Sequence, residues 1–254
     1  MLAAFITGIA LGALIVRRWD EPGHDALRQF GLAEAGAGLA VLLTLPLYAY
    51  LPWLFHGIVT WFPRTEAAFY GFEAVKAAFC LALMLVPTVL VGMTLPLASR
   101  AATRALGEAG TQVGRIYAAN TLGNVLGATI GGLVLLPWLG LRGAIEVGVA
   151  IALAVGALAL TWRHPVPVRA AGMLGAALVV VAGRALQPAW DMAALGAGVY
   201  RWRSVEAAAT LADYQAGFKG QVPQLLIDDG LATVAVYDEA GVRRLKVNGK
   251  TDAS

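Results

Sequence analysis

Residues 114–140 read GRIYAANTLGNVLGATIGGLVLLPWLG, and this stretch decides the fold class. Arg115 opens it, and no further charge occurs before Arg142. The run from Ile116 to Pro137 is long enough to cross a bilayer as a helix. Gly123, Gly127 and Gly131 recur every fourth residue and so share one helix face. Small residues at that spacing let a second backbone approach closely, which is how helices associate in lipid. Asn120 and Asn124 lie one turn apart. Amides are costly in hydrocarbon, so they are expected to face protein or a water-filled cavity. The stretch is expected to be the central packing helix of a bundle.

The rest of the chain agrees with a membrane setting. Of 254 residues, 59% are hydrophobic and 14% charged, against about a quarter charged in soluble domains. The polar residues are confined to short clusters between long apolar runs, the pattern of a polytopic membrane protein. Net charge is +3, but the arginines stand at the ends of apolar runs and form no patch, which excludes a nucleic-acid reading. Cys80 is alone inside an apolar run, so no disulfide framework or metal cluster is expected. The first run has no basic residue before it and Arg17-Arg18 after it, the reverse of a signal peptide. It reads as a membrane helix and leaves room for residues before Met1.

About six membrane helices are predicted, over residues 2–16, 30–51, 71–97, 116–137, 143–162 and 170–186. Residues 52–70, with Trp53 and Trp61, read either as a segment lying along the interface or as a loop packing its aromatics on the bundle. Pro87 and Pro96 are expected to kink or break the third helix. Pro137-Trp138 is expected to end the fourth, followed by a tight turn. The first, third and fifth connections carry three, three and two arginines, the second and fourth one each. The positive-inside rule places the first group in the cytoplasm. If the sixth helix spans, everything after it is extracytoplasmic.

After Pro188 the character changes. Residues 188–223 read as a mixed linker with a short helix near 204–215. Residues 224–254 then alternate with period two: QLLID, LATVAVYD and VRRLKVN, with Asp229-Gly230 and Glu239-Ala240-Gly241 between them and Asn248-Gly249 after the last. Asp-Gly and Asn-Gly between apolar runs are strong hairpin signals. A three-stranded antiparallel meander is expected, with one buried face on which Ala232, Val234 and Val236 lie together. It is expected to break off in mid-domain just after the last hairpin turn. The fold class is therefore a mainly α, transporter-like membrane bundle (1–187) followed by a small antiparallel β meander.

Several motifs, in order, carry a resemblance. They are PTVLVGMTLPL (87–97), the stretch from Gly114 to Arg142, WDMAALGAGVYRW (190–202) and LLIDDGLATVAVYDEAGVRRLKVNGKTDAS (225–254). Together they resemble the membrane-embedded spermidine synthase-like proteins, in which a multi-helix bundle precedes an aminopropyltransferase-type domain. The likeness covers nearly the whole chain and is most specific where the NTLG–GxxxG helix and the VNGK–DAS turn occur together. It implies that residues 224–254 are an N-terminal β-subdomain and that a Rossmann-like methyltransferase fold follows. That fold is expected to hold decarboxylated S-adenosylmethionine as co-substrate on a glycine-rich loop and to present an acidic residue to the attacking amine, a role in polyamine biosynthesis. No glycine-rich cofactor loop occurs after Phe218, so this chain is read as catalytically incomplete, with no catalytic, cofactor or metal residue assigned. One departure matters. Where the soluble relatives carry a ligand-binding glutamine on the second strand, this chain has Ala232. An alanine cannot make that hydrogen bond, which leaves other donors or methyl-transfer-like chemistry open.

The candidate site is intramembrane and polar: Glu34, Asn120 and Asn124. Glu34, about one turn inside the second helix, is a functional candidate, because an ionisable group in a membrane helix is expensive to keep. It also has a plain alternative, reaching the cytoplasmic interface or pairing with Arg28. The two amides read either as a polar pathway or as interhelical bonds worth roughly 0.6–2 kcal/mol, and packing is the favoured reading. Glu73 and Lys76, one turn apart, read as a local ion pair, and Glu146 as a helix-start charge. His24, His56 and His164 have no metal-ligand spacing. Asp228, Asp229 and Asp252 read as turn formers, though Asp252 also has the option of approaching a ligand of the following domain. Three functions remain open: a membrane-bound aminopropyltransferase-type enzyme, a permease for a small, cationic solute such as a polyamine, and a pure membrane anchor. The expected partners are the lipid bilayer and a small cationic substrate, with an oligomer allowed and no nucleic acid. The expected location is the bacterial inner (plasma) membrane.

Overall fold

In a computed structural model, the described residues are 2–18, 25–63, 65–103, 109–190, 195, 210–216, 223–228, 232–239, 242–247 and 250–253. Among the described residues, seven longer helices are followed by a short eighth and a sheet. They are α1 (Leu2–Arg18), α2 (Ala26–Thr44, continued by a 3-10 turn to Ala49), α3 (Leu51–Thr60), α4 (Glu66–Ala102), α5 (Ala109–Ile130), α6 (Leu136–Thr161), α7 (Val166–Leu186) and α8 (Leu211–Ala216). Four helical stretches are long and apolar enough to cross a membrane: Ala26–Ala49, Glu66–Ala102, Gly110–Thr161 and Val166–Leu186. Large apolar side chains stay exposed along them, such as Leu122, Leu126 and Ile130 on α5 and Leu174, Leu178 and Val181 on α7.

Local chemistry sets the helix ends. Asp25 caps α2, its carboxylate accepting from the Leu27 N–H at 3.2 Å. The Thr65 hydroxyl accepts from the Ala68 N–H at 3.3 Å at the start of α4. Pro52 stands in the first turn of α3, where no backbone N–H is needed. Residues 52–70 are thus largely helical, shared between α3 and the start of α4.

The two prolines of α4 do not break it. Pro87 and Pro96 lie inside one 37-residue helix. The Thr88 hydroxyl donates to the Met84 carbonyl at 2.6 Å, and Thr94 donates to Val91 at 2.7 Å. These bonds go to other carbonyls than those of Leu83 and Gly92, whose N–H donors the prolines replace, so the helix runs through both prolines without side-chain compensation at those two groups.

The predicted end of the fourth membrane helix at Pro137-Trp138 is also shifted. A π-helical turn, Gly131–Leu135, carries α5 directly into α6. This wider turn lies where the Pro137 ring meets the carbonyl four residues back. The helical path bends at Gly140, with φ 67° and ψ 178°, a region open essentially only to glycine. Without it, the 52 residues of Gly110–Thr161 would extend ~78 Å at 1.5 Å per residue.

The chain divides into two compact units. The first comprises Met1–Thr44, Lys76–Ile130 and Ala144–Leu186. Its helices meet through glycines. A Cβ placed on Gly12 of α1 would lie 2.1 Å from the Val89 carbonyl oxygen of α4, and one on Gly92 would lie 2.4 Å from that of Ile9. Val16, Ala33, Met93 and Leu97 form the apolar core between α1, α2 and α4. The face expected to do the packing does none. Every residue from Tyr117 to Ile130 of α5 is exposed, and a Cβ on Gly123, Gly127 or Gly131 would meet nothing within 4 Å. The spacing on α5 is equally suited to close approach, but close approach needs a complementary helix, and among the described residues such contacts are made by Gly12 with Gly92 and by Gly31 with Gly156.

The second unit comprises Leu45–Val75, Gly131–Gly143 and Gln187–Ser254. Tyr48 stacks on Trp190 with ring centroids 4.9 Å apart, and Arg142 donates to the Pro188 carbonyl at 3.2 Å. His56 of α3 meets Tyr214 of α8 edge to face at 5.2 Å. The sheet is antiparallel, in the order β1 (Pro223–Asp228), β2 (Thr233–Glu239), β3 (Val242–Val247), β4 (Lys250–Ala253). It has four strands, one more than expected. The predicted turns at Asp229-Gly230, Ala240-Gly241 and Asn248-Gly249 lie outside the described residues, as does most of 190–209.

The buried face of the sheet is the opposite of the one expected. Ala235 and Tyr237 are 2% and 1% exposed, whereas Val234 and Val236 are only half-buried. Ala235 pairs with Lys246 and Tyr237 with Arg244. The Lys246 ammonium sits 4.6 Å from the Tyr237 ring centroid. The sequence V-A-V-Y is apolar on both faces, so alternation alone does not select between them.

Candidate intramembrane site

Glu34 owes its position to the two sides of α2. Phe30 and Ala33 face the α1–α4 core. Gly31 and Gly38 face α6, where a Cβ would meet the Gly156 carbonyl at 3.0 Å and Leu153 at 3.1 Å. At about 100° per residue, Glu34 falls between these two packed faces. The exposed leucines of the same helix, Leu32, Leu39 and Leu43, are on the far side. The carboxylate therefore points toward the interior of the unit, half-buried, among alanines and glycines.

Its depth is greater than the sequence suggests. The helix starts at Ala26, not near Phe30, so Glu34 lies about 12 Å along the axis, more than two turns in. Among the described residues it has neither an ion pair nor a hydrogen bond. The alternative pairing with Arg28 is not made.

The other two candidates are elsewhere. Asn120 and Asn124 lie on the exposed length of α5 and make no hydrogen bond among the described residues. The expected interhelical amide bonds are not formed, and the amides are not brought to Glu34. An amide on a helix bonds across an interface only if a neighbour covers that face, and α5 has none in this unit.

Other polar residues find local uses. Glu146 accepts a hydrogen bond from Arg184 of α7, so its partner is a neighbouring helix and not the dipole of its own. Arg184 thus joins α7 to α6. Asp252 pairs with Lys250 at 3.0 Å. Ala232 lies just before β2 and is half-buried, with no side-chain amide to offer. Sequence reasoning missed the Arg163–Asp25 pair, 3.2 Å, which joins the ends of α6 and α2. Its partners lie too far apart in the chain for spacing to reveal.

The site can do one thing chemically. A single carboxylate in a partly open seam can bind a cation or a proton. Among the described residues, no three His, Cys, Asp or Glu side chains come together to hold a metal. Comparison of the chain with protein-family models, with curated proteins and with solved structures gives no match.

Proposed function

We propose that this chain is the membrane bundle and first β-subdomain of a spermidine synthase-like protein. Its full-length form transfers an aminopropyl-type group from decarboxylated S-adenosylmethionine to an amine. The observation that carries the reading is the order of parts, a membrane bundle followed by a four-stranded antiparallel meander, together with the motifs quoted above. In this reading six helices span the inner (plasma) membrane of a bacterium: α1, α2, α4, α5, α6 and α7. The 17 residues of α1 are at the short end of a span, and the bend at Gly140, inside α6, divides the long stretch Gly110–Thr161 into two spans. The sheet then belongs on the extracytoplasmic side. The segments that share its unit, Leu45–Val75 and Gly131–Gly143, are the arginine-poor connections. A phosphatase reporter fused after Pro188 is expected to be active, and a cytoplasmic reporter silent. The enzymatic reading is tested by incubating the full-length protein with decarboxylated S-adenosylmethionine and putrescine. Absence of aminopropyl transfer to any amine, or a downstream coding sequence without a nucleoside-binding fold, removes it.

A second reading is favoured by Glu34. A carboxylate turned inward more than two turns from the helix start suits passage of a small organic cation, such as a polyamine, through the bundle. In proteoliposomes, labelled putrescine uptake is expected to be lost in Glu34→Gln and unchanged in Asn120→Ala, because the amide faces away. Equal uptake by wild type and Glu34→Gln excludes it. An anchor without transport predicts no uptake in either protein.

A further inference from the structure

We infer that the cleft between the start of α2 and the end of α6 is a binding site for a phosphate monoanion, supplied by the headgroup of an anionic phospholipid. The cleft holds about 390 Å³ and is lined by Asp25, Arg28, Arg163 and His164 over an apolar floor of Leu27 and Leu160. Its volume is in the range of small-ligand sites.

The donors are arranged and largely unspent. Arg163 forms an ion pair with Asp25, 3.2 Å from nitrogen to oxygen, at the mouth. The other Asp25 oxygen accepts from the Leu27 N–H, so the carboxylate is engaged at both oxygens. Arg28 makes no hydrogen bond or ion pair among the described residues, and neither does the His164 imidazole. Arg28 and Arg163 against Asp25 leave one net positive charge. That balances one phosphodiester. Two arginine forks match the geometry of phosphate oxygens better than point charges do.

The depth fits a lipid source. The cleft is at the end of α6, next to Trp162, which is exposed and carries the Arg169 guanidinium 5.2 Å from its ring centroid. Exposed tryptophan beside arginine marks the headgroup level. Basic pockets between membrane helices on the cytoplasmic side take anionic headgroups. Leu27 and Leu160 offer the glycerol end an apolar wall. The inference rests on α2 and α6 lying in a membrane and not on the transferase reading.

The test is thermal unfolding of the purified chain in neutral detergent, with three additions: short-chain phosphatidylglycerol, short-chain phosphatidylcholine and inorganic phosphate. Phosphatidylglycerol is expected to stabilise the protein, and phosphatidylcholine is not. Its apparent affinity is expected to fall about tenfold in Arg28→Gln and in Arg163→Gln, the loss of one charge-assisted contact. Arg18→Gln removes the same charge from the end of α1 and is expected to leave affinity unchanged. Arg28 has no described partner, so Arg28→Gln is expected to melt like wild type without lipid, which separates binding from folding. If inorganic phosphate protects equally, the anion site stands and its lipid source is overturned. If Arg18→Gln weakens binding as much as Arg28→Gln, or Arg28→Gln has no effect, the site is overturned in favour of general surface charge.

Discussion

Gly31 of α2 and Gly156 of α6 face one another, each so close that a Cβ on one would lie within about 3 Å of the carbonyl oxygen of the other. Such contact is backbone against backbone, and no side chain can turn aside to relieve it. Gly156→Ala is therefore expected to push α6 off α2 and to lower stability by about 1–3 kcal/mol, the usual cost of overpacking. Gly127→Ala on the open face of α5 is expected to be neutral or stabilising by up to ~1 kcal/mol, from helix propensity alone. Unfolding of both variants in mixed micelles checks the contrast. Equal effects would show that α5 is packed after all.

Arg184 and Glu146 join α7 to α6, with the carboxylate 12% exposed and the arginine 63% exposed. Exposed pairs contribute about 0–1 kcal/mol, and removing one partner of a buried pair costs about 3–5. The exposed arginine is screened, so Arg184→Leu is expected to cost on the order of 1–2 kcal/mol, most of it from the carboxylate left behind. Glu146→Gln in the same background should restore much of the loss. A double-mutant cycle with no coupling would contradict the pair.

Burial pushes the His56 imidazole below its ordinary pKa, because the charged form loses solvation. The unfolded chain then takes up a proton at a higher pH than the folded one. The stability contributed here is full above about pH 6.5 and declines as pH falls from there toward the lower folded value. Hydrogen exchange of α3 and α8 is expected to accelerate between about pH 7 and about pH 5, beyond the intrinsic chemical trend. His56→Phe, which keeps the edge contact with Tyr214, should flatten that response. An unchanged slope in the variant assigns the effect to another group.

The sheet offers a test of its own inverted face. Ala235→Leu adds three carbons to the buried face, where Ala235 is 2% exposed, and is expected to cost about 1–3 kcal/mol by overpacking. Val234→Thr, on the half-buried side, should cost less than about 1 kcal/mol, within the range of β-propensity effects. Circular dichroism and proteolysis after Gln187 separate the two. If Val234→Thr is the damaging change, the register of β2 is wrong by one residue.

The membrane character of the chain was legible from charge segregation and run length, and so was the antiparallel sheet, from its Asp-Gly and Asn-Gly turns. Partner choice was not. Gly8, Gly12 and Gly92 look no different in sequence from Gly123, Gly127 and Gly131, because spacing states that a helix can be approached and not which helix approaches it. Glu34 was visible as an isolated acid, but its depth depended on a cap at Asp25 that the apolar run alone did not reveal. The prolines of α4 are expected to kink or break it because their cost is local, whereas the helix continues on both sides of each. Ala235 and Tyr237 were overlooked because a lysine and an arginine pair with them, and cation–π and stem packing leave no mark in a hydrophobic alternation.

The second unit is assembled from three pieces of chain, and its last piece begins at Gln187, long after its first ends at Val75. Ribosomes add roughly 5–20 residues per second, so Tyr48 and His56 emerge on the order of ten seconds before Trp190 and Tyr214, the residues they contact. For that interval a set of aromatic rings stands without its partners. Whatever attends the nascent chain at the membrane surface has that long to keep them from settling on something else.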